Sequence, residues 1–271
     1  MDKVKFCPLF SGSNGNSIFV SYKNTKLLVD CGCSYKKIKD SLCEIGENIK
    51  DINAVFITHS HTDHTSALPV LLKNADVKVC ATAGTLCELF NRNCDYREVM
   101  NTYNNKIFQI RENQTIKVID MVVGAFPVPH DAPQTVGYNI TADEKSLSIL
   151  TDIGYLRENL YSDVQGKDLV FMESNHDLIA LENCKYTMSL KQRILSNGGH
   201  LSNDNAGIFA SYLAKNGVKK IILGHLSGEA NTTDMAFNTV AEALEKNEIT
   251  PNKDIELSVS PRGALGEVCI I

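Results

Sequence analysis

Three histidines and an aspartate fall within six residues at His59-Ser60-His61-Thr62-Asp63-His64. The apolar run Ala54-Val55-Phe56-Ile57 leads into them, and Ser66-Ala67-Leu68-Pro69-Val70-Leu71-Leu72 follows. Side chains two apart in an extended chain share a face, so His59 and His61 leave the end of a buried strand together. Asp63 and His64 then sit where that strand turns into a helix. Imidazole nitrogen and carboxylate oxygen suit zinc, manganese or iron, and a segment this dense in ligands can hold two ions. A polar loop with three histidines by chance is the alternative, which the other residues must decide. His130 and His225 also stand just past apolar runs, and ligands at the same ends of sheet strands converge in space.

Further candidates lie outside that set. His200, in Gly198-Gly199-His200-Leu201-Ser202-Asn203, opens a predicted helix. There it can grip a phosphate oxygen or protonate a leaving alkoxide, or it can be a capping or core histidine. Ser202 would share the phosphate contact. His176, in Glu173-Ser174-Asn175-His176-Asp177, either binds substrate or packs in the core, with Glu173 orienting it. The turn Ser11-Gly12-Ser13-Asn14-Gly15-Asn16 is a plain hairpin, or it offers Ser13, Asn14 and exposed N–H groups to an anion. Asp30 reads as a capping or loop-supporting residue rather than a ligand, and helix capping is the alternative to metal binding for Asp152.

These residues need sheets to hold them. Strands are predicted at 6–10, 17–22, 26–29, 54–57 and 77–81, and helices at 35–42 and 85–90, with the polar segment 91–105 as a loop. From Lys106 the pattern turns to β through 106–110, 115–119, 122–128, 136–140 and 146–151. Ile149-Leu150-Thr151-Asp152-Ile153-Gly154 echoes Leu28-Val29-Asp30-Cys31-Gly32, and 169–177 echoes 55–63. The echo suggests a duplication, with halves of roughly 1–140 and 141–271. Two such β-rich halves with helices on one side would pack sheet on sheet as a four-layer α/β/β/α sandwich in one domain. Helices at 205–216 and 235–246 and strands at 219–224 and 254–259 complete the pattern.

The 271 residues are 43% hydrophobic and 22% charged, as in an ordinary globular protein. A net charge of −5 provides no global basic field for nucleic acid, so any polyanion site must be a local patch or a metal centre. No run approaches a membrane span, and the first residues lack the apolar core of an export signal. Nine cysteines without a Cys-x-x-Cys pair read as reduced thiols, and a cytoplasmic protein is expected. Cys31 and Cys33 read as small buried residues.

Asp30, His59-x-His61-x-Asp63-His64, His130, Asp152 and His225 occur in the order that resembles the metallo-β-lactamase-fold hydrolases over essentially the whole chain. That resemblance implies a dinuclear centre of zinc, manganese or iron, with His59, His61 and His130 on one ion. Asp63, His64 and His225 would hold the other, Asp152 would bridge, and Asp30 would support the histidine loop. A water shared by two cations loses its proton near neutral pH, and the hydroxide serves as nucleophile. Asp63 and His200 are then the candidate catalytic residues. The element around His200 is similar to the Gly-His-Ser-Thr element of ribonuclease Z, with Leu201 in place of serine. The interval from Asp152 to His225 is too short for the inserted domain of the ribonuclease J group. The stretches 11–17, 59–64, 173–177 and 199–203 most resemble the small WalJ/YycJ-type bacterial proteins of this fold. Their resemblance implies a 5′ to 3′ DNA exonuclease, with DNA as the partner. The alternatives are a thioester or small-ester hydrolase of the glyoxalase II type and a metal-stabilised regulator without catalysis.

Overall fold

Runs of Val, Ile, Leu and Phe bounded by Asn, Gly and Asp turns build two sheets in the computed structural model, which describes residues 2–271. The first sheet takes β1 (Lys5–Phe10), β2 (Ser17–Tyr22), β3 (Thr25–Val29), β4 (Ala54–Phe56), β5 (Lys78–Ala81) and β6 (Ile107–Gln109). The second takes β7 (Thr115–Val118), β8 (Met121–Pro127), β9 (Val136–Ala142), β10 (Lys145–Leu150), β11 (Leu169–Glu173), β12 (Lys220–Gly224) and β13 (Glu256–Val259). A last strand, β14 (Cys269–Ile270), returns to the first sheet beside β1, so the orders are β14-β1-β2-β3-β4-β5-β6 and β13-β12-β11-β10-β9-β8-β7.

The two sheets repeat one plan. Strands β1 to β3 are antiparallel and β3 to β6 parallel; β8 to β10 are antiparallel and β10 to β13 parallel. Both sheets therefore run from antiparallel to parallel pairing in the same order. The chain crosses between Gln109 and Thr115, because β7 to β9 ladder onto β10 rather than onto the first sheet. Alternation along a strand tells which face is buried and not which neighbour pairs with it.

Helices cover both outer faces. On the first sheet lie α1 (Tyr35–Glu44), α3 (Leu68–Asn74), α4 (Ala83–Asn91) and α5 (Cys94–Thr102), and the single turn α2 (Thr62–Thr65) precedes α3. The remainder are α6 (Glu158–Val164), α7 (Leu178–Asn183), α8 (Met188–Leu195), α9 (Asn203–Lys215) and α10 (Thr233–Glu245), and α6, α9 and α10 pack on the second sheet. This is the four-layer αββα sandwich. Helix α5 corrects the loop expected over 91–105. Asn93 caps it by accepting from the Tyr96 N–H, and Tyr96, Val99 and Met100 supply a buried face that the surrounding polar residues obscured.

Between the sheets, Phe6 meets Phe171 at 5.9 Å and Phe56 meets Tyr138 edge-on at 5.3 Å between ring centroids. Tyr138 also reaches through this core, its hydroxyl donating to the Ile57 carbonyl at 2.7 Å. The Val136 N–H bonds the Thr58 carbonyl at 3.1 Å. The second sheet thus fixes the end of β4, where the histidine cluster begins.

Candidate metal centre and its pocket

Asp30, Asp152 and His225 each follow a strand, β3, β10 and β12, and each adopts a left-handed backbone with φ of 63°, 59° and 54°. That conformation is costly for a residue with a Cβ and turns each side chain sharply across the strand ends. The turn after β4 brings His59, His61, Asp63 and His64 to the same edge. Their backbone is clamped from outside: Asn16 N–H donates to the Asp63 carbonyl at 2.7 Å and Cys31 N–H to the His64 carbonyl at 2.9 Å. Gly32 makes that approach possible, since a Cβ there would fall 1.6 Å from the Asp63 carbonyl oxygen.

All seven residues expected as ligands converge. The ligand atoms of His59, His61 and His130 lie within 4.8 Å of one another, as do those of Asp63, His64 and His225 and those of His59, His64 and Asp152. Asp152 stands between the trios, with Oδ1 3.6 Å from His130 Nε2 and Oδ2 3.1 Å from His64 Nε2. His130 is oriented by its Nδ1, which donates to the Gly199 carbonyl at 3.1 Å and leaves Nε2 facing the cluster. His64 Nδ1 likewise donates to Asp30 Oδ2 at 2.7 Å. Asp30 also accepts from the Thr58 N–H and hydroxyl, both at 2.8 Å, so it supports the histidine loop. It caps no helix, because Ser34 caps α1. Nor does Asp152 cap one: α6 begins only at Glu158, after Arg157.

Burial and charge agree with a cation site. His59 Nε2, Asp152 Oδ2 and His225 Nδ1 are buried without a hydrogen-bond partner, an arrangement that costs free energy unless an ion satisfies it. Burial disfavours a charged His64, yet Asp152, Asp30 and Asp63 outweigh it and hold its pKa well above the usual range. Burial likewise opposes charge on His225, but Asp152 and Glu173 push its pKa up to about 10. Burial alone would raise the Asp152 pKa, and His225, His64 and His59 instead draw it well below the usual carboxylate value. The field here calls for positive charge, and a metal that binds displaces such protons.

The cluster opens into a pocket of about 400 Å³ lined by Ser13, His61, Asp63, Asp152, His200 and His225 on one side and Tyr186, Leu190, Arg193 and Ile194 on the other. Of the candidate substrate contacts, His200 and Ser13 face it. The others do not. His176 is buried, Ser202 caps α9 by accepting from the Asn205 N–H, and Asn14 faces a neighbouring cavity. Glu173 proves to orient His200 rather than His176. Its Oε1 lies 2.8 Å from His200 Nδ1, and Oε2 accepts from the N–H groups of Ile153 and Leu201 at 2.6 and 3.0 Å. Burial raises the Glu173 pKa, but His200 and His225 outweigh it and bring it down to about 2. The Ser11–Asn16 turn is also more than a hairpin: Ser11 Oγ accepts from the His225 N–H at 2.7 Å, so the turn ties the Asp63 corner to the His225 corner.

The α8 wall was missed from sequence. A signal for it exists in Thr187, which accepts from the Leu190 N–H as N-cap, and in the apolar i, i+4 pair Leu190 and Ile194. Asp131 was also missed. It accepts two hydrogen bonds from Arg193, at 2.5 and 3.0 Å, and lies 3.2 Å from His130 Nε2.

Such a sandwich, with a histidine and aspartate centre at one edge, defines a metal-dependent hydrolase. Residues 25–226 match the β-lactamase superfamily domain, and the chain belongs to that superfamily. The exodeoxyribonuclease WalJ of Streptococcus pneumoniae is 35% identical over 253 residues, covering 93% of each chain. The exodeoxyribonuclease YycJ of Bacillus anthracis is 32% identical over 243 residues, covering 90% of each. Among solved structures, the metallo-β-lactamase fold protein YhfI of Bacillus subtilis superposes with a TM-score of 0.73 over 100% of both chains at 14% identity, a likeness of fold. The fold and the His/Asp clusters together point to divalent metal binding. Among the described residues no helix is long and apolar enough to cross a membrane.

Proposed function

We propose that this protein is a cytoplasmic 5′ to 3′ DNA exonuclease that works with two divalent ions, zinc, manganese or iron. The observation that carries this reading is His200, which is held by the buried Glu173 and lines the same pocket as the ligand set. The choice of DNA rests on the likeness to the exodeoxyribonucleases WalJ and YycJ. His59, His61 and His130 would hold one ion and Asp63, His64 and His225 the other, and Asp152, which stands between the two trios, would serve both.

When bound, the ions supply Lewis-acid polarisation of the phosphoryl group and activation of water at neutral pH. The protein supplies position and protons. Asp63 borders the pocket and can accept a hydrogen bond from the attacking water, aligning it with phosphorus. His200 donates Nδ1–H to Glu173, which leaves Nε2 to deliver a proton to the departing oxygen. Glu173 is buried and already hydrogen-bonded by two backbone N–H groups, so its carboxylate stays ionised and holds the His200 ring in place.

End-labelled DNA incubated with metal-loaded protein should lose nucleotides from the 5′ end, and a chelator should stop the reaction. Asp63→Ala should lose both activity and metal. His200→Ala should lower turnover by about 10²-fold or more while metal content stays constant. Parallel loss of metal in His200→Ala would move this histidine into the ligand shell, and cleavage of thioesters without cleavage of DNA would overturn the nuclease reading.

A further inference from the structure

We propose that Lys37 and Arg262 form a second phosphate subsite beside the catalytic pocket, which takes a backbone phosphate of the strand being degraded. The proposal rests on the phosphodiester reading above and adds a contact that reading does not contain.

A cavity of about 110 Å³ lies between the Ser11–Gly15 turn, Lys37 and Arg262. It is well below the roughly 300 Å³ at which sites for drug-sized ligands begin, so it suits a group of phosphate size. It shares a wall with the catalytic pocket. Ser13 faces the pocket, while its neighbours Gly12 and Asn14 face the cavity. A strand whose scissile phosphate sits at the metal centre therefore has this cavity on the other side of the Ser11–Gly15 turn.

The placement of Arg262 is specific. Its Cγ lies against Gly12, where a Cβ would come within 2.9 Å, and its Nη1 lies against Gly228, where a Cβ would come within 2.3 Å. Gly12 has φ of +134°, so neither its backbone nor its surroundings admit a side chain. Gly228 follows Ser227, which lines the catalytic pocket. The arginine thus runs from the Ser11–Gly15 turn, where its stem packs, to Gly228, where its guanidinium lies.

Charge gives the site its ligand. Arg193 at the pocket mouth is held by Asp131, and Arg157 lies beside Asp163. Lys37 and Arg262 have no carboxylate partner among the described residues, and none lines their cavity. The chain carries a net charge of −5, and the catalytic pocket presents Asp63 and Asp152. A polyanion approaching that field needs cations nearby, and an ammonium and a guanidinium without carboxylate partners suit phosphate oxygens.

The test uses metal-loaded protein and a 5′-phosphorylated single strand of about ten nucleotides. Arg262→Gln and Lys37→Gln should each raise KM about three- to tenfold, with kcat changed less than about twofold. The slope of log KM against log salt should fall by about 0.7 for each phosphate contact removed. Arg262→Lys should recover part of the loss, and thermal melting should show each variant folded. Titration of a fluorescent phosphorothioate strand, read by anisotropy, reports the same contacts whether or not the strand is cleaved. If wild-type protein binds it but degrades no DNA, the exonuclease reading fails and the subsite stands. Unchanged affinity and salt slope in both glutamine variants, or absence of strand binding by wild type, would overturn the subsite. So would an effect confined to kcat.

Discussion

Glu173 Oε1 lies 2.8 Å from His200 Nδ1, although the two residues are 27 positions apart in the chain. The carboxylate is completely buried at the end of β11, and His200 stands at the edge of the pocket. This pair fixes which ring nitrogen faces substrate. Glu173→Gln keeps the shape and removes the charge, so kcat on DNA should fall about 10²-fold or more while metal content holds. Turnover and metal analysis on the same preparation check this; loss of metal in proportion to activity would make Glu173 a ligand.

Asp30 is the support on which the histidine loop rests, through bonds to Thr58 and His64. Asp30→Ala leaves those donors unpaired in a buried site. Metal affinity should weaken about 10- to 100-fold, and the protein should lose roughly 3 kcal/mol of stability. Metal-competition titration and urea unfolding measure the two effects, and a variant with wild-type affinity would show that His64 needs no such support.

Gly32 is required by the close approach of the β3 turn to Asp63. A methyl group there would sit 1.6 Å from the Asp63 carbonyl oxygen, and backbone cannot move aside as a flexible side chain can. Gly32→Ala should therefore displace the Asp63 corner, lowering both Tm and metal content. Retention of full metal content with a wild-type Tm would contradict the packing described here.

His176 is buried, its two ring nitrogens have no hydrogen-bond partner, and burial lowers its pKa to about 4. The folded protein therefore binds this proton less readily than the unfolded chain, whose histidine titrates near 6.5. The associated stability is complete above about pH 6.5 and is lost as pH falls toward 4. Between pH 7.5 and 4.5 wild type should lose about 2 kcal/mol more than His176→Phe, read from urea midpoints. Equal losses would mean that His176 finds a partner when charged.

Much of the centre was legible in the chain because its ligands follow apolar strands at the short spacings of a single turn. His59, His61, Asp63 and His64 could be read together for that reason, and Asp152 and His225 because each closes a strand. The sandwich was legible through the repeated strand, Asp-x-Gly and helix pattern. What the sequence could not give were relations between distant segments. The passage from one sheet to the other near residue 110, the strand β14 returning to β1, and the attachment of Glu173 to His200 rather than to nearby His176 all depend on pairing across the chain. Helix α5 and the α8 wall were hidden because a few apolar residues among polar ones show their common face only when something packs against it. Residue types and local periodicity thus determined that metal chemistry occurs at strand ends. Tertiary structure decided which side chains meet there, because contact between distant segments depends on how the two sheets pair and pack.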